Sequence, residues 1–159
     1  MEYLNLYDKE GNLTNEKGIR GEITNKLVGI VLIFIENSKG EFLMQKTSPS
    51  RNSTFATTGG HVSYGSTFEE TVINEVKEEL GIDITNDNII LMNTYIRERV
   101  IQKVFYLKKD ISINDITIQE DEVENIEWLS KEKINELIEN NEFRTSNIEP
   151  YKVVVEHIK

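Results

Sequence analysis

Apolar and polar positions follow two rhythms along this chain, and each rhythm predicts a different element. The segment KLVGIVLIFIEN (26–37) is apolar at almost every position and rich in Val and Ile. A strand with one wet face would alternate, so this run predicts a central strand buried on both faces. Ahead of it, YLNLYD reads as a short strand and KEGN as a turn, with Gly11 and Asn12 suited to the bend. NSKG predicts a hairpin turn into a second strand, EFLMQKT (41–47). SPSRNSTFATTGG (48–60) reads as loop, punctuated by Pro49 and closed by paired glycines.

Past that loop the period changes. Val72, Ile73, Val76 and Leu80 share one face at helical spacing. Thr67 suits the N-cap with Glu70 completing a capping box, and Ser66 with Glu69 offers the same pattern one residue earlier. Gly81 suits the C-cap. NIILMNTYIRE and RVIQKVFYLKK then read as two strands joined by a tight turn, or as one bent ribbon. DEVENIEWLS predicts a further strand, and KEKINELIENNEF a helix with Ile134, Leu137 and Ile138 facing inward. EPYKVVVEHI fits a helix that begins at Pro150 and carries Tyr151, Val154, Val155 and Ile158 on one side, although a strand also fits. The order of elements predicts an α+β fold or a three-layer α/β/α sandwich on a mixed sheet, built as a single domain over 1–159.

Composition narrows the function classes. A chain of 159 residues, 38% hydrophobic and 29% charged, suits one soluble globular domain. Its longest apolar run, Leu27 to Ile35, is far too short to span a bilayer, and its first residues carry no basic-then-apolar leader. Without cysteine there is no disulfide, no thiolate nucleophile and no zinc–thiolate site. Cytoplasmic residence is the expectation. A formal net charge of −10 argues against a nucleic-acid backbone as main partner, since that binding needs clustered Lys and Arg. Nucleotides remain compatible, because a cation held by carboxylates can bridge to phosphates.

The helix carries the candidate chemistry. Glu75, Glu78 and Glu79 fall within an arc of roughly 100° on a 3.6-residue helix, beside the apolar stripe rather than opposite it. Like charges three and four residues apart repel, so the arrangement costs stability unless a cation arrives. The plain alternative is a solvated helix face, since Glu is a good helix former. Gly59 and Gly60 favour a site instead. They let backbone approach a ligand, and a carbonyl there could complete a metal shell. Carboxylate, carbonyl and water are ligands of hard cations, which points to Mg2+ or Mn2+.

This stretch resembles the Nudix hydrolase signature. That signature runs Gly, five residues, Glu, seven residues, Arg-Glu, an aliphatic, one residue, Glu-Glu, one residue, Gly and an aliphatic. Gly60 takes its first place and EVKEELGI, from Glu75 to Ile82, its last eight. The resemblance implies an α/β/α sandwich, hydrolysis of a nucleoside diphosphate linked to another group, and Mg2+ held by Glu75, Glu78, Glu79 and the Gly60 carbonyl. Two positions depart from the pattern, with Ser66 in place of the first Glu and Asn74 in place of the Arg. Losing both removes an orienting acid–base pair without leaving one charge orphaned. LNLYDKEGN, GEFLMQKTSPSR and TTGGHV are similar to the branch containing isopentenyl-diphosphate isomerase, over Tyr3 to about Leu129.

Other residues complete the candidate site. Lys46, Arg51, Arg97 and Arg99 lie near loop and strand ends and are candidates for substrate phosphates, against a reading as ordinary surface charge. Glu120 and Glu122 precede a strand where family members place a further metal ligand or base, and Glu122 is taken as the candidate ligand. His61 reads as structural, Phe55 and Trp128 as packing, and His157 carries no case. The expected substrate is a small nucleoside diphosphate derivative, with no nucleic acid or membrane as partner; a homodimer is compatible with this reading. The competing functions are an isomerase and a nucleotide-sensing module that does not cleave. Isomerisation in the resembling branch uses a cysteine, which this chain lacks.

Overall fold

A computed structural model describes residues 2–49, 52–118 and 123–159. The apolar run becomes β3 (Leu27–Glu36), the axis of a mixed sheet. The hairpin of β1 (Tyr3–Tyr7) and β2 (Leu13–Ile19) meets its start through Leu6 and Tyr7. β4 (Phe42–Thr47) follows the Asn37–Gly40 turn and pairs β5 (Phe55–Ala56). β6 (Thr58–His61) lies antiparallel to β3 from Ile30 to Ile33. Helix α1 (Phe68–Leu80) leads to the hairpin of β7 (Ile90–Ile96) and β8 (Val100–Lys108). β8 runs parallel to β3 from Val28↔Val100 to Glu36↔Lys108. β9 (Val123–Leu129) pairs β4, and α2 (Lys131–Glu139) and α3 (Thr145–His157) close the chain.

The unbroken apolar run in β3 now has its reason. Val31, Ile33 and Ile35 pack on one side with Val72, Val76 and Leu80 of α1. Leu32 and Phe34 point the other way, into a second core with Ile134 and Leu137 of α2 and Tyr151 and Val154 of α3. A strand covered by helices on both faces needs no polar alternation. This is the α/β/α arrangement, with the sheet as its middle layer. Among the described residues, no helix is long and apolar enough to cross a membrane.

Three expectations need correction. The segment expected as loop contains β5 and β6, because its paired glycines serve close approach rather than a turn. A β-carbon on Gly59 would stand 2.5 Å from the Val31 carbonyl oxygen. The polar strand β2 escaped the pattern, since an exposed edge has no apolar face to display. Finally, α3 begins at Thr145 and holds Pro150 inside it, rather than beginning there. Long-range bonds fix that start: Phe55 N–H donates to the Glu142 carbonyl, Arg144 N–H to the Phe55 carbonyl, and Thr57 N–H to Asn147 Oδ1.

Candidate metal and phosphate site

A cleft of about 860 Å³ opens over the sheet between the acidic face of α1 and the first turns of α3. Local chemistry sets how α1 presents to it. Glu70 N–H donates to Thr67 Oγ1 and Thr67 N–H to Glu70 Oε1, both at 3.0 Å, so the expected capping box forms at Thr67. Gly81 closes the helix at φ 71°, where its N–H donates to the Lys77 carbonyl. With both ends fixed and Val72, Val76 and Leu80 fully buried, the helix cannot rotate. Glu75, Glu78 and Glu79 are therefore turned into the cleft together.

Gly60 faces them from β6. A β-carbon on Gly60 would collide with the Glu75 carboxyl group, so that carboxyl occupies the space a side chain would take. Burial, followed by the neighbouring Glu79 and Glu78 carboxylates, pushes the Glu75 pKa up to about 8. Glu79 is oriented by a residue the sequence reading did not single out. Gln45 of β4 is buried and donates through Nε2 to Glu79 Oε1 at 3.0 Å and to Thr58 Oγ1 at 2.7 Å. The signal was present as a polar residue within the apolar strand FLMQ.

The expected phosphate-binding cations separate in space. Arg97 lines the cleft, pairs with Glu149 of α3 at 3.1 Å and stacks over Tyr95. Lys46 does not line it. Alternation along β4 turns Gln45 and Thr47 into the cleft and Lys46 away, where it meets Glu124 at 3.8 Å. Arg99 lines a neighbouring cavity instead. Arg51, Glu120 and Glu122 lie outside the described residues. Arg20 and Arg144, neither singled out from sequence, also line the cleft. Both come from segments whose approach to α1 depends on long-range pairing.

Of the residues read as structural, Phe55 packs against the α2–α3 core, and Trp128 Nε1 donates to the Ile111 carbonyl. His61 lines the cleft, and burial together with Arg20 holds its imidazole below the usual pKa. Asn74 is exposed, and no hydrogen bond joins it to Ser66 among the described residues.

The donors fit a hard divalent cation in kind. Three carboxylates crowd one wall beside a glycine that leaves its backbone open, and burial followed by the neighbouring carboxylates disfavours the Glu75 charge, a cost a cation would relieve. Among the described residues, no three acidic or histidine side chains already converge at metal-ligand spacing. Mg2+ does not demand a complete protein cage, because it keeps waters and uses substrate oxygens.

Comparison with known proteins gives the same architecture. The NUDIX domain family matches residues 26–150. An uncharacterised Nudix hydrolase of Listeria innocua is 31% identical over 149 residues, covering 90% of this chain and 88% of its own. The crystal structure of DR0079 from Deinococcus radiodurans superposes with a TM-score of 0.78 at 21% identity, over 96% of this chain and 97% of that one. The NUDIX domain of Shewanella oneidensis NrtR, solved in complex with ADP ribose, gives a TM-score of 0.66 at 12% identity, over 84% and 89% of the two chains. With its acidic helix, its open Gly60 and a domain match from Lys26 to Pro150, this chain belongs to the Nudix family.

Proposed function

We propose that the chain is a metal-dependent hydrolase that cleaves the diphosphate bond of a nucleoside diphosphate linked to another group. The observation that carries this reading is the seating of the Glu75 carboxyl against Gly60, with Glu78 and Glu79 in the same cleft. A solvated helix face needs no such fit between a carboxylate and a bare α-carbon.

Glu75, Glu78, Glu79 and the Gly60 carbonyl would hold Mg2+ or Mn2+, with Glu122 as a further ligand. Bound there, the cation supplies polarisation of phosphoryl oxygens and acidifies water. The remaining work belongs to the chain. Gln45 fixes Glu79 through its Nε2 bond, and a carboxylate oxygen of the cluster takes the proton of the attacking water. Arg97, Arg20 and Arg144 stand on the cleft walls, where guanidinium groups can grip phosphate oxygens. A cation between an acidic wall and an anionic substrate also reconciles a net charge of −10 with a nucleotide ligand.

Hydrolysis is preferred to isomerisation because it needs only metal, water and carboxylates, and the chain has no cysteine. The test is a panel of diphosphate compounds incubated with Mg2+ or Mn2+ and read by product mass, beginning with ADP ribose. Metal-dependent cleavage at the diphosphate supports the reading. Conversion of isopentenyl diphosphate to its allylic isomer, with no diphosphate cleaved, overturns it.

A further inference from the structure

A second cavity, of about 440 Å³, adjoins the cleft and shares Arg20, His61 and Val100 with it. Its charge runs against the rest of the molecule. The whole chain carries 18 Lys and Arg against 28 Asp and Glu. Around this cavity stand Lys17, Arg20, Lys26 and Arg99, and Glu22 is the acidic residue among them. Lys17 and Arg99 make no ion pair among the described residues, and the Lys17 ammonium lies over the Tyr3 ring, 4.6 Å from its centroid. Lys26 reaches Glu16 only at 3.9 Å. Arg20 is held by Glu2 at 3.0 Å, so Lys17 and Arg99, with the loosely paired Lys26, carry the positive charge that favours an anion here.

The walls say what kind of anion. Leu4, Leu6 and Val28 contribute apolar surface below the cations. A bare ion gains nothing from such surface, whereas the sugar or carbon body of an organophosphate does. Continuity with the cleft at Arg20 and His61 means one ligand can occupy both spaces.

We propose that this cavity receives a phosphomonoester carried by the substrate itself. Its preferred substrates are nucleoside diphosphate derivatives that bear a third phosphate remote from the scissile diphosphate. The inference rests on the reading of the cleft as a diphosphate hydrolase site, and deepens it. The diphosphate lies at the acidic wall, the connecting sugar passes Arg20 and His61, and the third phosphate meets Lys17, Lys26 and Arg99.

The experiment compares a dinucleotide diphosphate with its ribose 2′-phosphorylated counterpart, in the wild type and in a Lys17→Gln, Lys26→Gln variant. Both lysines are solvent-accessible, and thermal melting verifies that the variant folds. Two exposed ion pairs correspond to about a tenfold preference for the phosphorylated compound, expressed in KM. The variant should lose that preference and keep wild-type turnover of the unphosphorylated compound. A Lys152→Gln, Lys159→Gln variant, altered at residues lining neither cavity, should keep the preference. Equal kcat/KM for the two compounds in the wild type, or a preference that survives in the first variant, overturns the proposal. If neither compound is cleaved, the hydrolase reading fails separately. Calorimetry of the two compounds then decides, with tighter binding of the phosphorylated one, lost in the first variant, as the supporting result and equal binding as the contrary one.

Discussion

The Glu75 carboxyl rests on the bare α-carbon of Gly60, in the space a β-carbon would fill. Gly60→Ala should push that carboxyl out of place. The displaced atoms are the far end of a flexible side chain, so the fold should survive with little change in melting temperature. Turnover should fall by about 100-fold or more, since displacement of a catalytic group by an ångström has that effect. Gly59→Ala offers the contrast. Its β-carbon would meet the Val31 backbone oxygen, which cannot swing away, so stability should fall by ~1–3 kcal/mol. Steady-state kinetics beside denaturant unfolding reads both effects, and a Gly60→Ala protein with full activity contradicts this role for the contact.

The metal-free protein should lose stability as pH rises. Burial and the adjacent carboxylates raise Glu75 from its ordinary value of 4.5 to about 8 in the folded state. Between those limits the folded state holds a proton that the unfolded chain has released. Stability is therefore greatest below about pH 4.5 as far as this group is concerned, and declines until about pH 8. Glu75→Gln should flatten that slope. Mg2+ should stabilise most toward pH 8, where the carboxylate is free to ligate, and binding below that pH should release a proton. Thermal melting across this range, with and without Mg2+, checks the sign; a rising metal-free profile that Glu75→Gln does not alter contradicts it.

Gln45, bonded to both Glu79 and Thr58, is proposed to position Glu79. Replacing it with Met keeps volume but removes the N–H groups that bond Glu79 and Thr58. Partners that orient ligating carboxylates typically change metal affinity or activity by about 10–100-fold. Gln45→Met should show that loss, as a weaker Mg2+ response and lower kcat/KM, in a protein that still folds. Unchanged Mg2+ dependence would mean that Glu79 needs no such support.

The sequence was most readable where one local cause determines the outcome. Thr67, Glu70 and Gly81 specify α1 almost by themselves, and the two-faced apolar run of β3 announces its burial. What depends on distant partners was hidden. β6 looks like loop until Val31 is seen against Gly59, and α3 starts before Pro150 because Asn147 is bonded to Thr57. The glutamate wall of the site belongs to the first class. Gln45, Arg20 and Arg144 belong to the second, reaching the cleft only once β2, β4 and α3 have been assembled around α1.

The two departures from the family signature meet a direct test. Ser66 is engaged through its backbone, whose carbonyl accepts from Asn5 Nδ2 at 2.8 Å, while Asn74 stands exposed on α1. If an acid–base pair can be restored there, Ser66→Glu with Asn74→Arg should be better tolerated than either change alone. The coupling should be about 0.5 kcal/mol or more in a double-mutant cycle on melting and turnover. Strict additivity would show that the two positions do not meet.

In the reading proposed above, the α1 glutamates and a divalent cation direct water onto a phosphorus atom. Hydrolysis in 18O-labelled water, followed by product mass, reads out that step. With Mg2+ and a nucleoside diphosphate derivative, one 18O should appear in a phosphate-bearing product. EDTA or Glu79→Gln should reduce that incorporation by orders of magnitude while the variant melts as a folded protein. Label appearing at the wild-type rate in EDTA, or in the Glu79→Gln protein, would rule out metal-directed attack by water at the α1 glutamates.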